Sequence, residues 1–111
     1  MLKPGRYEVL VFSDRSGESP YLEWLATLDV KTRDRILKRV ERMKLGQFGD
    51  YKKMDHDFYE LRLFFGPGYR VYFGQHQATA MLLLTGGDKS SQNSDIKKAK
   101  EYWRIYLEDN T

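Results

Sequence analysis

The sequence predicts an α+β fold, a mostly antiparallel sheet packed by a helical hairpin and a C-terminal helix in the order β-α-α-β-β-β-α. Three observations predict it. Residues 58–74, FYELRLFFGPGYRVYFG, hold two β-rich runs joined at Gly66-Pro67-Gly68. Residues 78–85, ATAMLLLT, are a continuous apolar run, as in an interior strand covered on both faces. Segments on either side of these runs space their apolar residues by three or four, the period of an amphipathic helix.

Each element has its own signal. Tyr7 to Ser13 is a short β-rich run bounded by Pro4-Gly5 and by Asp14 to Gly17, and reads as the first strand. Ser19-Pro20 supplies an N-cap and a proline at the first helical position. Leu22, Leu25, Ala26 and Leu28 then give a short helix. Asp29 caps a second helix with the apolar stripe Ile36, Leu37, Val40 and Met43, which Gly46 stops. The short join makes the pair a helical hairpin. Gln47 to Asp57 is polar and reads as irregular. Gly86-Gly87-Asp88-Lys89 reads as a turn after the apolar strand. Ser91 to Asn110 closes the chain as a helix, with Ile96, Ala99, Trp103, Tyr106 and Leu107 inward and Lys97, Lys98 and Lys100 outward.

The bulk numbers narrow the class. With 111 residues and 41% hydrophobic content, the chain is expected to form a single domain over 1–111. It has no cysteine, which excludes a disulfide frame and any thiolate metal site. The stretch MLKPGRYEVLVFS lacks the apolar core of a signal peptide, and no run approaches the roughly 20 apolar residues of a membrane span. A soluble, cytoplasmic protein without membrane association is expected. The net charge of +3 conceals an asymmetry: residues 31–54 carry nine Lys or Arg against three acids. That local excess suits an anionic partner or, alternatively, a solvated helix face.

Why Arg62 and Arg70 stand in strands is answered by alternation. If Phe65 pairs with Tyr69, one face of the hairpin carries Leu61, Leu63, Phe65, Tyr69, Val71 and Phe73, a core face. The other carries Glu60, Arg62 and Phe64 with Gly74, Tyr72 and Arg70 opposite. Guanidinium groups interleaved with aromatic rings suit RNA, phosphate on the cations and bases on rings such as Tyr72. The same pattern also fits an Arg62–Glu60 ion pair with the rings covering a second small core.

YELRLFFGPGYRVYFG followed by LLLTGGDKSSQNSDIKKAKEYW resembles the phage-type, HigB-like branch of the RelE/ParE superfamily, the toxins of type II toxin–antitoxin modules. The likeness runs from Tyr7 to about Tyr106. It implies a RelE-like domain that inhibits translation by metal-independent, ribosome-dependent mRNA cleavage, needs no cofactor, and is neutralised by a helix-turn-helix, HigA-like antitoxin. The implied chemistry is attack of a ribose 2′-hydroxyl on the adjacent phosphate, so mRNA and the ribosome are the implied partners. Arg70 in GYRVYF matches the sheet arginine of the superfamily and is the implied stabiliser of the transition state. Lys89, after GGD, lies near another basic position of the family cleft, and Arg62 projects to the face of Arg70. Lys52 and Lys53 are placed at the cleft edge to position RNA, and Glu60 is the carboxylate available as general base. Asn93 to Asp95 stand where some RelE toxins carry a tyrosine, and neither His56 nor His76 falls on the family's histidine position.

Two other functions remain open at this level. ParE-like toxins share the fold and inhibit DNA gyrase by binding, without nuclease activity. A relative retaining only antitoxin binding is the third possibility.

Overall fold

The structure, a computed structural model, describes residues 2–110; Met1 and Thr111, the ends of the expected domain, lie outside the described residues. Its elements are β1 (Glu8–Val11), α1 (Pro20–Ala26), α2 (Val30–Met43), β2 (Tyr51–Asp55), β3 (Phe58–Leu63), β4 (Tyr69–His76), β5 (Ala80–Asp88), a 3-10 turn (Lys89–Ser91) and α3 (Gln92–Asp109). The five strands form one sheet in the order β1-β5-β4-β3-β2, with β1 parallel to β5 and every other pair antiparallel. The α+β architecture expected from the sequence is the one observed.

The predicted caps are in place. Ser19 Oγ accepts from the Leu22 amide at 3.2 Å, and Asp29 Oδ2 accepts from the Thr32 amide at 3.3 Å. Gly46 adopts φ +74 just beyond α2, and a Cβ there would lie 2.6 Å from the Gly5 carbonyl oxygen. The helical stripes are narrower than the spacing implies. Ile36, Val40 and Met43 are buried but Leu37 is exposed, while in α1 Tyr21 and Leu25 are buried and Leu22 and Ala26 face solvent.

Three boundaries differ from the sequence reading. Residues 51–55, expected to be irregular, form β2; it is an edge strand, and edge strands carry charge that discourages further pairing. Gly86, Gly87 and Asp88 continue β5 instead of turning. Ala78 lies in the β4–β5 connection, where it and Gln77 take φ +62 and +53, and β5 starts at Ala80.

Two cores lie on opposite faces of the sheet. α1 and α2 cover one, packing Tyr21, Leu25, Ile36, Val40 and Met43 against Leu61, Leu63, Val71 and Phe73. On the other, Ala99 and Trp103 of α3 pack against Phe58, Tyr72, Leu82 and Leu84. Close approach sets two glycines. A Cβ at Gly74 would meet the Trp103 ring at 2.4 Å, and one at Gly86 would meet the Trp24 ring at 2.3 Å.

Candidate functional site

The β3–β4 pairing slides by two residues from the expected register. Leu63 pairs with Tyr69, Arg62 with Arg70 and Glu60 with Tyr72, in place of Phe65 with Tyr69 and Arg62 with Tyr72. Phe65 leaves the ladder because Gly66 and Gly68 take φ +53 and +83, and the Gly68 amide closes a turn on the Phe65 carbonyl at 3.0 Å. An even slip preserves the facing of every residue that stays in the ladder, so the segregation of arginines from core survives. It also brings the two arginines side by side.

Glu60 holds them there. Its side chain is fully buried, yet Arg62 Nε donates to Oε1 at 3.0 Å, while Tyr72 Oη and Gln92 Nε2 donate to Oε2 at 3.0 and 2.9 Å. Arg70 Nε lies 3.7 Å from Oε2, and Arg70 Nη1 donates to the Gly68 carbonyl at 2.7 Å. Burial alone would raise the carboxyl pKa. Hydrogen bonds from Arg62, Gln92 and Tyr72 and the Arg62 charge outweigh it, leaving the group below its usual range. Burial first, and then the Glu60 charge, pushes the Tyr72 phenol far above its ordinary pKa, so it stays a donor.

The neighbouring strand and helix finish the cleft. Gly87 is the cross-strand partner of Arg70, and a Cβ there would fall 1.8 Å from Asp95 Oδ2. Asp95 in turn accepts from Ser91 Oγ at 2.5 Å. The start of α3 is thus seated on β5, which places Gln92 against Glu60. Gly68 is flanked by Arg70 Nη1 and by the Cβ of exposed Lys89, so the two cations share one side of the hairpin end. Arg62 and Arg70 keep 29% and 12% of their side-chain exposure, so neither is sealed off from solvent.

The expected site residues therefore separate. Arg62, Arg70, Glu60 and Lys89 converge. Lys52 pairs with Glu60 across β2 and β3 and shares this face, whereas Lys53 pairs with Tyr59 and projects to the other. Tyr72, expected as a stacking ring, is completely buried and stacks on Phe58, so it presents no face to a base. Glu60, expected as general base, reaches no solvent and is already occupied by donors. Gln92 was missed in the sequence, where nothing distinguishes it from other polar residues opening a helix. Arg39 was missed as well: it donates to the carbonyls of Phe48, Asp50 and Arg62, at 3.0, 2.7 and 2.7 Å, and anchors β3 behind the site. Both histidines lie elsewhere, His56 beside Asp57 and His76 against the Tyr106 ring. Among the described residues, no three His, Asp or Glu side chains gather as metal ligands. No helix among them is long and apolar enough to cross a membrane.

The family model described as "Phage derived protein Gp49-like (DUF891)" matches residues 23–104, which include α2, every site residue and most of α3. The chain belongs to this family. Gp49-like proteins are toxins of the toxin–antitoxin type, related to RelE, and membership implies an antitoxin partner. The chain is also 42% identical over 78 residues to an uncharacterized protein of Haemophilus influenzae, an alignment covering 69% of this chain and 79% of that one. The Gp49-like match agrees with the RelE-type likeness of the GPGYRVYF and GGDKSSQ blocks.

Proposed function

We propose that this Gp49-like protein is a type II toxin that cuts mRNA, most simply on the ribosome, and that a HigA-like helix-turn-helix antitoxin neutralises it. The observation that carries the reading is the cross-strand pair Arg62–Arg70, oriented by one buried carboxylate. Two guanidiniums fixed side by side suit the dianionic, phosphorane-like transition state of RNA cleavage, and preorganised charge is the largest single contribution to such catalysis. The attacking 2′-hydroxyl forms a bond to phosphorus, the bond to the 5′-oxygen breaks, and a cyclic phosphate remains. One proton passes, net, from the 2′-hydroxyl to the departing oxygen.

In this reading Arg70 carries the developing charge and Arg62 grips a non-bridging oxygen. Lys89, exposed beside Arg70, donates toward the leaving oxygen. Glu60 holds the arginines instead of acting as a base, and Lys52, on the same face, guides RNA along the β2 edge. Tyr72 supports Glu60 from below.

Cell-free translation with purified wild-type and Arg70→Lys protein, followed by mapping of mRNA 5′ ends, tests the assignment. Arg70→Lys keeps the charge beside Glu60 but loses the guanidinium fork. New 5′ ends with wild type, reduced on the order of 10²–10³ in rate in the variant, are expected. Intact mRNA together with inhibited gyrase supercoiling would replace this reading with the ParE-like one.

A further inference from the structure

A second cationic surface lies on the α2 side of the sheet, outside the Arg62–Arg70 face. Arg35, Lys38, Arg39 and Arg42 of α2 line a groove of about 280 Å³ whose other wall is Leu63, Phe64 and Phe65 at the hairpin end. No acidic side chain lines it. The cations do different jobs. Arg39 is committed to three carbonyls, and the Arg35 guanidinium sits 3.7 Å over the Phe65 ring. Lys38 has only a long 3.7 Å pair with Asp34, in which both side chains are largely exposed, and such pairs are weak. On the wall facing these charges stands Phe64, 75% exposed, the most exposed large hydrophobic among the described residues.

An exposed phenylalanine does little for stability and has no core partner to explain it. A ring beside unneutralised cations is the arrangement that holds single-stranded nucleic acid: the base stacks, and the backbone phosphates meet Lys and Arg. The groove also adjoins the cleft. Phe64 follows Arg62 by two residues, just past the end of β3, and Arg39 reaches from the groove wall to the Arg62 carbonyl. A strand lying across Arg62 and Arg70 would continue over Phe64 onto α2.

We infer that the α2–hairpin groove is a second subsite for single-stranded RNA, in which Phe64 stacks an unpaired base and Lys38 and Arg42 contact its flanking phosphates. It extends the RNA-cleavage reading and rests on it for the identity of the nucleic acid. Its test uses binding alone, so that the two can fail separately.

The probe is a fluorescein-labelled 12-nucleotide single-stranded RNA, titrated by anisotropy at several salt concentrations with wild type, Phe64→Ala and Lys38→Ala/Arg42→Ala. Thermal melting of each variant first establishes that it is folded, as expected for substitutions of exposed side chains. Phe64→Ala should weaken binding roughly 5- to 100-fold with an unchanged salt slope. The double variant should lower the slope of log K against log salt by about 1.4. A duplex of the same sequence should be insensitive to Phe64→Ala, because its bases are already stacked. Affinity unchanged in both variants would overturn the inference. So would displacement of the RNA by polyglutamate with Phe64→Ala without effect, which would mark the groove as a docking surface for an acidic protein segment. Failure of Arg70→Lys to reduce cleavage, with these binding effects intact, would overturn only the catalytic reading.

Discussion

Arg62 and Arg70 face one another across β3 and β4, and both turn toward the buried carboxylate of Glu60. Like charges opposite each other in a sheet repel, and the Glu60 carboxylate beneath the pair offsets that repulsion. Glu60→Gln should therefore destabilise the protein by about 2–4 kcal/mol, at the lower end of what breaking a buried ion pair costs because Arg62 keeps access to water. The pH dependence has a definite sign. A carboxyl held below its ordinary value of 4.5 contributes stability above that pH and loses it as pH falls through the folded-state value. Urea midpoints measured from pH 7 to pH 3 should show a steeper acid loss in wild type than in Glu60→Gln.

Arg39 fixes the backbone behind the same arginines by donating to three carbonyls. Lysine keeps the charge but cannot span all three acceptors. Arg39→Lys should cost on the order of 2–4 kcal/mol, read as a fall in melting temperature, and should lower cleavage by shifting Arg62. A variant as stable as wild type would show that the three bonds contribute nothing net.

Gly87 leaves room for Asp95, and no side chain fits there. Gly87→Ala drives a methyl into the Asp95 carboxylate and lifts the start of α3 from β5. The expected cost is about 1–3 kcal/mol, with loss of the Gln92 contact to Glu60. Hydrogen exchange should rise at the first turn of α3 and leave α2 unchanged.

Tyr21 is buried in the larger core and its hydroxyl has no hydrogen-bond partner. Burial pushes its pKa up to about 12. A phenol raised in the folded state loses stability as pH climbs from its unfolded value near 10 toward 12, by about 2–3 kcal/mol. Tyr21→Phe should be neutral or stabilising by about 1 kcal/mol at pH 7, since it removes an unsatisfied buried group. It should also flatten the alkaline limb of the stability curve, which chemical denaturation at pH 8 to pH 11.5 measures.

Local rules were legible in the chain. The caps at Ser19 and Asp29, the stop at Gly46, the doubly covered fifth strand and the facing of the paired residues of β3 and β4 follow from side-chain chemistry and from periods of two and 3.6, which act over a few residues. Phe64, expected on the face of Arg62, lies past the end of β3 and lines the α2 groove instead. Alternation alone put Arg62 and Arg70 on one face away from the larger core. The sequence left two possibilities for that face, a nucleic-acid surface or an ion pair over a second core. The structure contains the ion pair and the second core, and still leaves Arg62 and Arg70 partly exposed.

Tertiary structure decided the rest. β2 is polar because it is an edge, and edge position is a property of the assembled sheet. Gly86 and Gly87 resemble a turn in the sequence because glycine serves turns and close approaches equally, and only Trp24 and Asp95 show which applies. Phe65 left the ladder for the α2 side, where Arg35 lies over its ring, and the register moved by two. Glu60 became a buried anchor because α3 brought Gln92 to it from 32 residues away. The sequence by itself determined which strand residues share a face, since backbone geometry dictates that locally. Which charges meet was decided by long-range packing, since partners distant in the chain are chosen only when the sheet and α3 close over them.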